Sequence, residues 1–118
     1  MSYYIELQDA KSHEVLEINE PHYMRGCNFQ LGGSTELSLS VTYNYSSIFK
    51  KVMGEKGIRN IDGKTGQESI KILSDAILKL KDNISDNYWD ATEGNAKRSL
   101  QYLKTMAEMR PDGIWWVE

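Results

Sequence analysis

Residues 34–44, STELSLSVTYN, alternate between side chains suited to a packed face and polar side chains. Apolar residues occupy alternate positions, Leu37, Leu39 and Val41, and the residues between them are serines. A period of two is typical of a strand with one buried face, because successive side chains of a strand point to opposite sides. This stretch therefore predicts an antiparallel sheet with one packed face and one polar face.

The segments that precede this strand also favour extended structure. Residues 3–8 alternate in the same way, residues 9–13 carry turn chemistry, and residues 15–18 resume the extended pattern. This order predicts a hairpin that Pro21 ends. A further short stretch, residues 27–31, leads into a Gly-Gly turn. Together the segments predict an N-terminal meander.

The next part of the chain favours helices. Ser46 or Ser47 is a suitable cap for a short helix, which the glycines Gly54 and Gly57 would end. Thr65 and Glu68 have the spacing of a capping box at the start of a second, longer helix.

A third helix is predicted to begin at Asp90 or Thr92 and to end near Met109, because Pro111 follows. Residues 113–118 form a last strand or an aromatic flap, and their two tryptophans, Trp115 and Trp116, have no assigned role. The sequence therefore predicts an α+β fold in which an antiparallel sheet, the N-terminal meander, carries two longer helices and one short helix on one face. A single domain is expected to span residues 1–118.

Composition excludes several classes of function. A chain of 118 residues suits one domain. Its 17 acidic and 14 basic residues give a net charge of −3, and a negative charge disfavours the binding of a long nucleic acid. No apolar run approaches ~18 residues, so no membrane partner is expected. Cys27 is the single cysteine and the N-terminus lacks signal-peptide features, which together predict a cytoplasmic protein. No metal site or cofactor motif is recognised, since neither histidine shares a ligand spacing with Cys27.

Gly63, Lys64 and Thr65 invite comparison with a phosphate-binding loop. The standard pattern needs a glycine at position 58, which is Ile58, and a parallel strand before it, where this chain has a predicted helix and loop. A helix cap beside a solvated lysine is therefore the favoured interpretation, although a helix N-terminus attracts an anion at little cost.

The densest group of recognition-type side chains lies in residues 88–98, at the predicted start of the third helix. Tyr88 or Trp89 can stack on a base, and Arg98 can face a phosphate. Glu93 and Asn95 can hydrogen-bond ribose hydroxyls or a base edge.

The same residues also have ordinary structural explanations. Tyr88 and Trp89 can belong to the core, and Glu93 can pair with Lys97 along the helix. Gly94 favours a site, since glycine in a first helical turn costs up to ~1 kcal/mol relative to alanine and is easier to explain if something approaches the backbone.

Arginines are placed differently from lysines. Arg25, Arg59 and Arg110 lie in loops that contain glycine, where a planar guanidinium suits either the pinning of a loop or an anionic ligand. Arg110 with Asp112 favours loop pinning.

Seven short motifs follow one another along the chain: EPHYMRG at 20–26, TYNYS at 42–46, GEKGIR at 54–59, GKTG at 63–66, YW at 88–89, TEGNAKR at 92–98 and RPDG at 110–113. In this order they resemble a family of short uncharacterised proteins of bacterial and phage genomes, and the resemblance spans nearly the whole chain. It implies no activity. Its phage association suggests, by analogy only, a comparison with small phage proteins that sequester nucleotide immune signals such as cyclic ADP-ribose species.

These observations predict a non-enzymatic protein that binds a small, phosphorylated, nucleotide-like ligand, with a homo-oligomer as a further expectation. The alternatives are a protein-interaction module with a Tyr/Trp surface, and a small hydrolase with His22 or Glu93 as its base. The expected ligand-binding residues are His22, Arg25, Asn44, Tyr45, Arg59, Tyr88, Trp89, Glu93, Asn95 and Arg98.

Overall fold

The computed structural model describes residues 1–27 and 32–118, and there it combines two small antiparallel sheets with three α-helices. The predicted α+β class is confirmed. The elements in chain order are β1 (Ser2–Gln8), β2 (Glu17–His22), β3 (Ser34–Glu36), β4 (Ser38–Thr42), α1 (Ser46–Met53), α2 (Gly66–Leu78), α3 (Glu93–Met109) and β5 (Ile114–Val117).

Strand β1 is the centre of the larger sheet, whose order is β4-β1-β5. Ile5 of β1 lies opposite Leu39 of β4 and Val117 of β5, so these three side chains share one face. That face is buried, and its polar counterpart carries Tyr4 and the exposed Trp116. The alternation in the sequence therefore places one face of the sheet in the core.

The first turn forms as predicted, but the chain does not continue as one meander. The Asp9 carboxylate accepts the N–H groups of Lys11 and Ser12, and the Leu16 N–H donates to the Leu7 carbonyl, 2.8 Å away. After Leu16 the chain leaves the larger sheet.

The smaller sheet pairs β2 with β3, in register at Glu17 with Glu36 and at His22 with Ser34, with an irregularity between the two pairs. Pro21 lies inside β2 instead of ending it. A proline without an N–H fits a strand whose pairing is already interrupted. Of the extended stretch predicted at residues 27–31, positions 28–31 lie outside the described residues.

Helix α1 ends at Gly54 as predicted, but neither serine caps it. Its N-cap is Tyr45, which makes no side-chain capping bond. The Ser46 hydroxyl instead lies 2.7 Å from the Tyr3 hydroxyl. The Ser46 hydroxyl, which the sequence predicts as a cap, therefore contacts Tyr3 of β1 instead.

Helices α2 and α3 begin where the sequence predicts. Both hydrogen bonds of the capping box between Thr65 and Glu68 are present, and Thr92 caps α3. Helix α3 ends at Met109, two residues before Pro111. The apolar residues on one side of α3 are buried: Ala96, Leu100, Leu103, Met106 and Ala107.

The C-terminal tail forms β5, so the strand interpretation of residues 113–118 is confirmed. Trp115 is buried, and its indole N–H donates to the Ser69 hydroxyl of α2, 2.8 Å away. The Gly66 N–H donates to the Gly113 carbonyl, which occupies a donor at the start of α2 with the chain's own backbone. The helix-cap interpretation of Lys64 and Thr65 fits this arrangement. Within the described part of the chain, no helix is long and apolar enough to cross a membrane.

Candidate functional site

A cleft of about 420 Å³ lies between the loop that precedes α3 and the surface of α3 itself. We call it the Trp89 cleft. Four of the predicted ligand-binding residues meet there, although they come from distant parts of the sequence. The lining residues are Arg25, Ile84, Ser85, Asp86, Asn87, Tyr88, Trp89, Arg98 and Tyr102.

Asn95 holds the loop that precedes α3 and does not line the Trp89 cleft. It is 1% exposed. Its side-chain oxygen accepts the Ser85 N–H at 3.0 Å, and its amide nitrogen donates to the carbonyls of Asn87 and Asp90 at 3.1 and 3.0 Å. A buried amide that makes three such bonds fixes the loop against α3, because breaking them leaves buried polar groups unpaired. Asn95 is thus a positioning residue.

The loop is further held by its own side chains. The Ser85 hydroxyl donates to one carboxylate oxygen of Asp90 at 2.6 Å, and the Asn87 amide donates to the other at 3.2 Å. The Asn87 side-chain oxygen accepts the Trp89 N–H at 3.1 Å. These hydrogen bonds hold the loop that carries Trp89, and Trp89 itself is 48% exposed.

Tyr88 anchors the loop to the larger sheet. Its hydroxyl accepts the Thr42 N–H at 3.0 Å and lies 3.4 Å from the Cys27 Sγ. Burial raises the pKa of Tyr88, and the hydrogen bond with Cys27 raises it further. The hydroxyl end of Tyr88 therefore lies in the protein interior, as the core interpretation predicts. The residue also lines the Trp89 cleft.

Tyr45 and Asn44 support the same loop from the start of α1. The Tyr45 hydroxyl donates to the Tyr88 carbonyl, and the Asn44 amide donates to the Trp89 carbonyl at 2.9 Å. Burial raises the pKa of Tyr45 to about 12, against an opposing effect of Arg98. Neither residue lines the cleft, so both act by holding Tyr88 and Trp89.

Arg98 supplies positive charge to the cleft from the surface of α3. Arg98 is partly buried, and its guanidinium makes no hydrogen bond or ion pair with any residue in 1–27 or 32–118. Arg25 lines the same cleft from the segment after β2, and Asp86 is the acid among the lining residues that the structure describes. The Arg98 guanidinium favours an anionic ligand, and the neighbouring indole provides a flat stacking surface.

Two N–H groups in the first turn of α3 have partners within the chain. The Gly94 N–H donates to the Asn83 side chain at 3.2 Å, and the Asn95 N–H donates to the Thr92 hydroxyl at 3.1 Å. A Cβ at Gly94 would lie 2.6 Å from the backbone of Asn83 and Ile84. The close approach that Gly94 indicates is therefore made by the chain's own loop, and the interpretation as an approaching ligand is wrong.

His22 lies apart from the Trp89 cleft. Its Nε2–H donates to the Glu36 carbonyl, and its Nδ1 accepts the Met24 N–H at 3.3 Å. Both ring nitrogens are thus bonded to backbone, which gives the ring a structural role between β2 and β3. It lines a separate cleft together with Tyr4.

Glu93 also has partners within the fold. One carboxylate oxygen accepts the Lys81 N–H at 3.1 Å, and the other lies 3.7 Å from the Lys51 ammonium. The predicted pair with Lys97 is not formed, since Lys97 contacts Asp82 at 2.7 Å. Glu93 therefore ties the start of α3 to α1 and to the residues after α2.

The other two loop arginines serve the fold. Arg59 lies over the Tyr3 ring, 4.8 Å from its centroid, and does not line the Trp89 cleft. Arg110 forms two hydrogen bonds with the Asp112 carboxylate, at 3.0 and 2.8 Å, as the sequence predicts. Of the three, only Arg25 faces the cleft.

Tyr102 of α3 packs against the core and also lines the Trp89 cleft, although it is not among the predicted ligand-binding residues. The signal was its spacing, because residues 98 and 102 are four apart on α3 and so share one face. Tyr102 is half-buried and completes the cleft wall next to Arg98.

Two further searches bear on this site. Among residues 1–27 and 32–118, no three His, Cys, Asp or Glu side chains lie close enough together to hold a metal ion. Comparisons with protein-family models, with curated proteins and with solved structures found no match to this chain.

Proposed function

We propose that the Trp89 cleft binds a small phosphorylated, nucleotide-like ligand without chemical turnover. One observation carries the proposal: the Arg98 guanidinium, with no acidic partner in the described residues, stands in the same cleft as the half-exposed Trp89 indole. A phosphate would supply the missing anion, and a base would cover the indole.

The size and chemistry of the cleft fit a compound of this class. Its volume of about 420 Å³ lies within the range of roughly 300–1,000 Å³ that small-molecule pockets occupy. Stacking contributes ~1–3 kcal/mol per base, and each hydrogen bond to a charged group contributes ~1.5–3 kcal/mol. These contributions suffice for capture, and a protein that sequesters its ligand needs only affinity.

The sequence resemblance guides the choice of ligand to test. It leads us to place ADP-ribose-type and cyclic nucleotide immune signals first, with the protein acting as a phage anti-defence factor that sequesters them. The arrangement of Arg98 and Trp89 supports an anion with a flat ring.

Thermal unfolding with a panel of nucleotides tests the proposal. AMP, ADP, cyclic AMP and ADP-ribose are compared with unphosphorylated adenosine. A ligand at a hundredfold excess over its Kd stabilises the folded state by ~2.7 kcal/mol. We expect at least one phosphorylated compound to raise the Tm and adenosine to have a much smaller effect. An unchanged Tm with all four would contradict the proposal.

Recovery of the ligand separates a binder from a hydrolase. After incubation with the nucleotide that raises the Tm, the protein is denatured and the supernatant analysed by mass spectrometry. A binder returns the nucleotide intact. Cleaved product that disappears in the Glu93→Gln or His22→Ala variant would favour the hydrolase alternative.

A second candidate function is protein interaction, which the polar face of the larger sheet supports. Trp116 is 47% exposed and Tyr4 is 40% exposed on that face. Aromatic residues with a polar edge are enriched in protein interfaces. An interaction module or a homo-oligomer would use this face, and light scattering that gives a monomeric mass would count against the oligomer.

A further inference from the structure

A second cleft, of about 120 Å³, lies where the polar face of the larger sheet meets the β2-β3 sheet. We call it the Tyr4 cleft. Tyr4 and Ser38 contribute to it from the larger sheet, Glu36 from β3, and Tyr23 and Met24 from the segment after β2. The proposed nucleotide function makes no use of this cleft.

The two tyrosine rings of the Tyr4 cleft are accessible from solvent. Tyr4 is 40% exposed and Tyr23 is 67% exposed. The Tyr23 ring passes close to Gly33, where φ is +84° and a Cβ would lie 3.0 Å from the ring and 2.7 Å from the His22 carbonyl. The absence of a side chain at Gly33 therefore lets the Tyr23 ring lie against the β2-β3 sheet.

The polar groups of the Tyr4 cleft are acidic or neutral. No hydrogen bond or ion pair involves the Glu36 carboxylate within the portion of the chain that the structure describes. The pKa of the Tyr4 hydroxyl is raised by burial, then by the negative charge of Glu6, with a smaller effect of Glu36. Both ring nitrogens of His22 are bonded to backbone groups. Among the lining residues that the structure describes there is neither a lysine nor an arginine.

We propose that the Tyr4 cleft binds an organic cation, with an ammonium group held between the rings of Tyr4 and Tyr23 and against the Glu36 carboxylate. The negative faces of aromatic rings attract cations, and a carboxylate completes such a site. The small volume fits the end of an alkylammonium chain better than a nucleotide. The cleft therefore has the opposite charge preference to the Trp89 cleft.

A free amine and a lysine side chain share this chemistry, and an NMR titration distinguishes them. Choline represents the free cation, the capped peptide acetyl-Gly-Lys-Gly-amide represents the lysine, and dimethylbutanol is the neutral carbon isostere of choline. We expect choline or the peptide to shift the backbone amides of Tyr4, Tyr23 and Glu36 saturably, with a Kd on the order of 1 mM. The tighter of the two cations identifies the source.

Three variants link the binding to the cleft. Glu36→Gln removes the charge and is expected to weaken binding of the cation about tenfold, and Tyr23→Leu removes one ring and weakens it several-fold. Glu20→Gln is the matched control, because Glu20 is an exposed acid on β2 that does not line the cleft. It should leave the Kd within about twofold. All three positions are at least partly exposed, so a dispersed amide spectrum will show that each variant folds.

Any of three results would overturn the proposal. The first is that neither cation gives saturable shifts, and the second is that dimethylbutanol shifts the same amides as strongly as choline does. The third is that Glu36→Gln binds the cation as tightly as the Glu20→Gln control. The nucleotide proposal is unaffected by any of these results, because it depends on Arg98 and Trp89.

Discussion

Gly94 shows how a signal in the sequence can be right about geometry and wrong about its cause. Glycine in the first turn of α3 indicates a close approach to the backbone, and the structure has one. The approaching atoms belong to Asn83 and Ile84, which a Cβ would meet at 2.6 Å. The sequence could not identify them, because the path of the loop before α3 depends on contacts with Asn95 and with the larger sheet.

Replacing Gly94 by alanine should destabilise the protein. Alanine stabilises the interior of a helix by about 1 kcal/mol relative to glycine. Here, however, the Cβ would clash with the backbone of the preceding loop, and we expect a net loss of ~1–3 kcal/mol of the free energy of unfolding. Urea unfolding measures the difference. Gln101→Ala, an exposed position on the same helix, serves as the control and should change little. Equal or higher stability of Gly94→Ala would show that the loop does not press on this residue.

Tyr45 gives a prediction for alkaline pH. Burial raises its pKa to about 12, against an ordinary value of 10.0. The folded state therefore favours the neutral phenol, and this contribution to stability is complete below pH 10.0 and is lost as the pH rises towards 12. Tyr45→Phe should be less stable than the wild type at pH 7, since the Tyr88 carbonyl loses its donor.

The alkaline part of this prediction needs a comparison between two pH values. Between pH 9 and pH 11 the wild type should lose more of its free energy of unfolding than Tyr45→Phe does, as measured by urea unfolding. Tyr102→Phe is the control, because its hydroxyl is not part of this contact. Parallel losses in the wild type and Tyr45→Phe would mean that Tyr45 ionises normally in the folded protein.

At the scale of elements, local signals predicted the two long helices well. Thr65 and Glu68 form both bonds of the capping box, and Pro111 ends α3 where expected. Such signals work because each depends on residues three or four apart. The Ser46 hydroxyl escaped prediction for the opposite reason, since its partner Tyr3 lies 43 positions earlier in the chain.

Strand pairing was less predictable than strand location. Alternation shows which residues face the core but not which strand lies beside which. Leu16 donates to Leu7 as the predicted hairpin requires, yet its carbonyl accepts from the Leu37 N–H at 2.9 Å. That long-range contact directs β2 towards β3 and away from the larger sheet.

The capping box of α2 gives a prediction at this scale. Thr65→Ala removes the hydroxyl that accepts the Glu68 N–H at 3.0 Å, and it should cost ~1 kcal/mol of the free energy of unfolding. Gln67→Ala, at an exposed position in the same turn, should cost much less. Urea unfolding of both variants checks the difference. A Thr65→Ala variant as stable as Gln67→Ala would mean that the contacts of residues 111–113 alone fix the start of α2.

At the scale of the whole molecule, the fold sorts the predicted site residues into three groups. Arg25, Tyr88, Trp89 and Arg98 meet in the Trp89 cleft. Asn44, Tyr45 and Asn95 position its loop, as their hydrogen bonds show. His22, Arg59 and Glu93 serve contacts elsewhere.

Residue type alone could not make this division. An arginine in a glycine-bearing loop has the same sequence signature whether it packs on a ring, as Arg59 does on Tyr3, or faces a cleft, as Arg25 does. Only the direction of each loop in the folded molecule separates the two cases. The acidic balance of the chain, −3 overall, likewise coexists with a cleft lined by two arginines.

Titration calorimetry of AMP, ADP, cyclic AMP and ADP-ribose into the wild type, Arg98→Gln and Arg59→Gln tests the central claim most directly. At least one of these nucleotides should bind the wild type, and Arg98→Gln should bind it at least about tenfold more weakly, because a charge-assisted contact is lost. Arg59→Gln removes the same charge outside the cleft and should bind within about twofold of the wild type. Failure of all four nucleotides to bind, or equal affinity of the Arg98→Gln and Arg59→Gln variants, would contradict a nucleotide site in the Trp89 cleft.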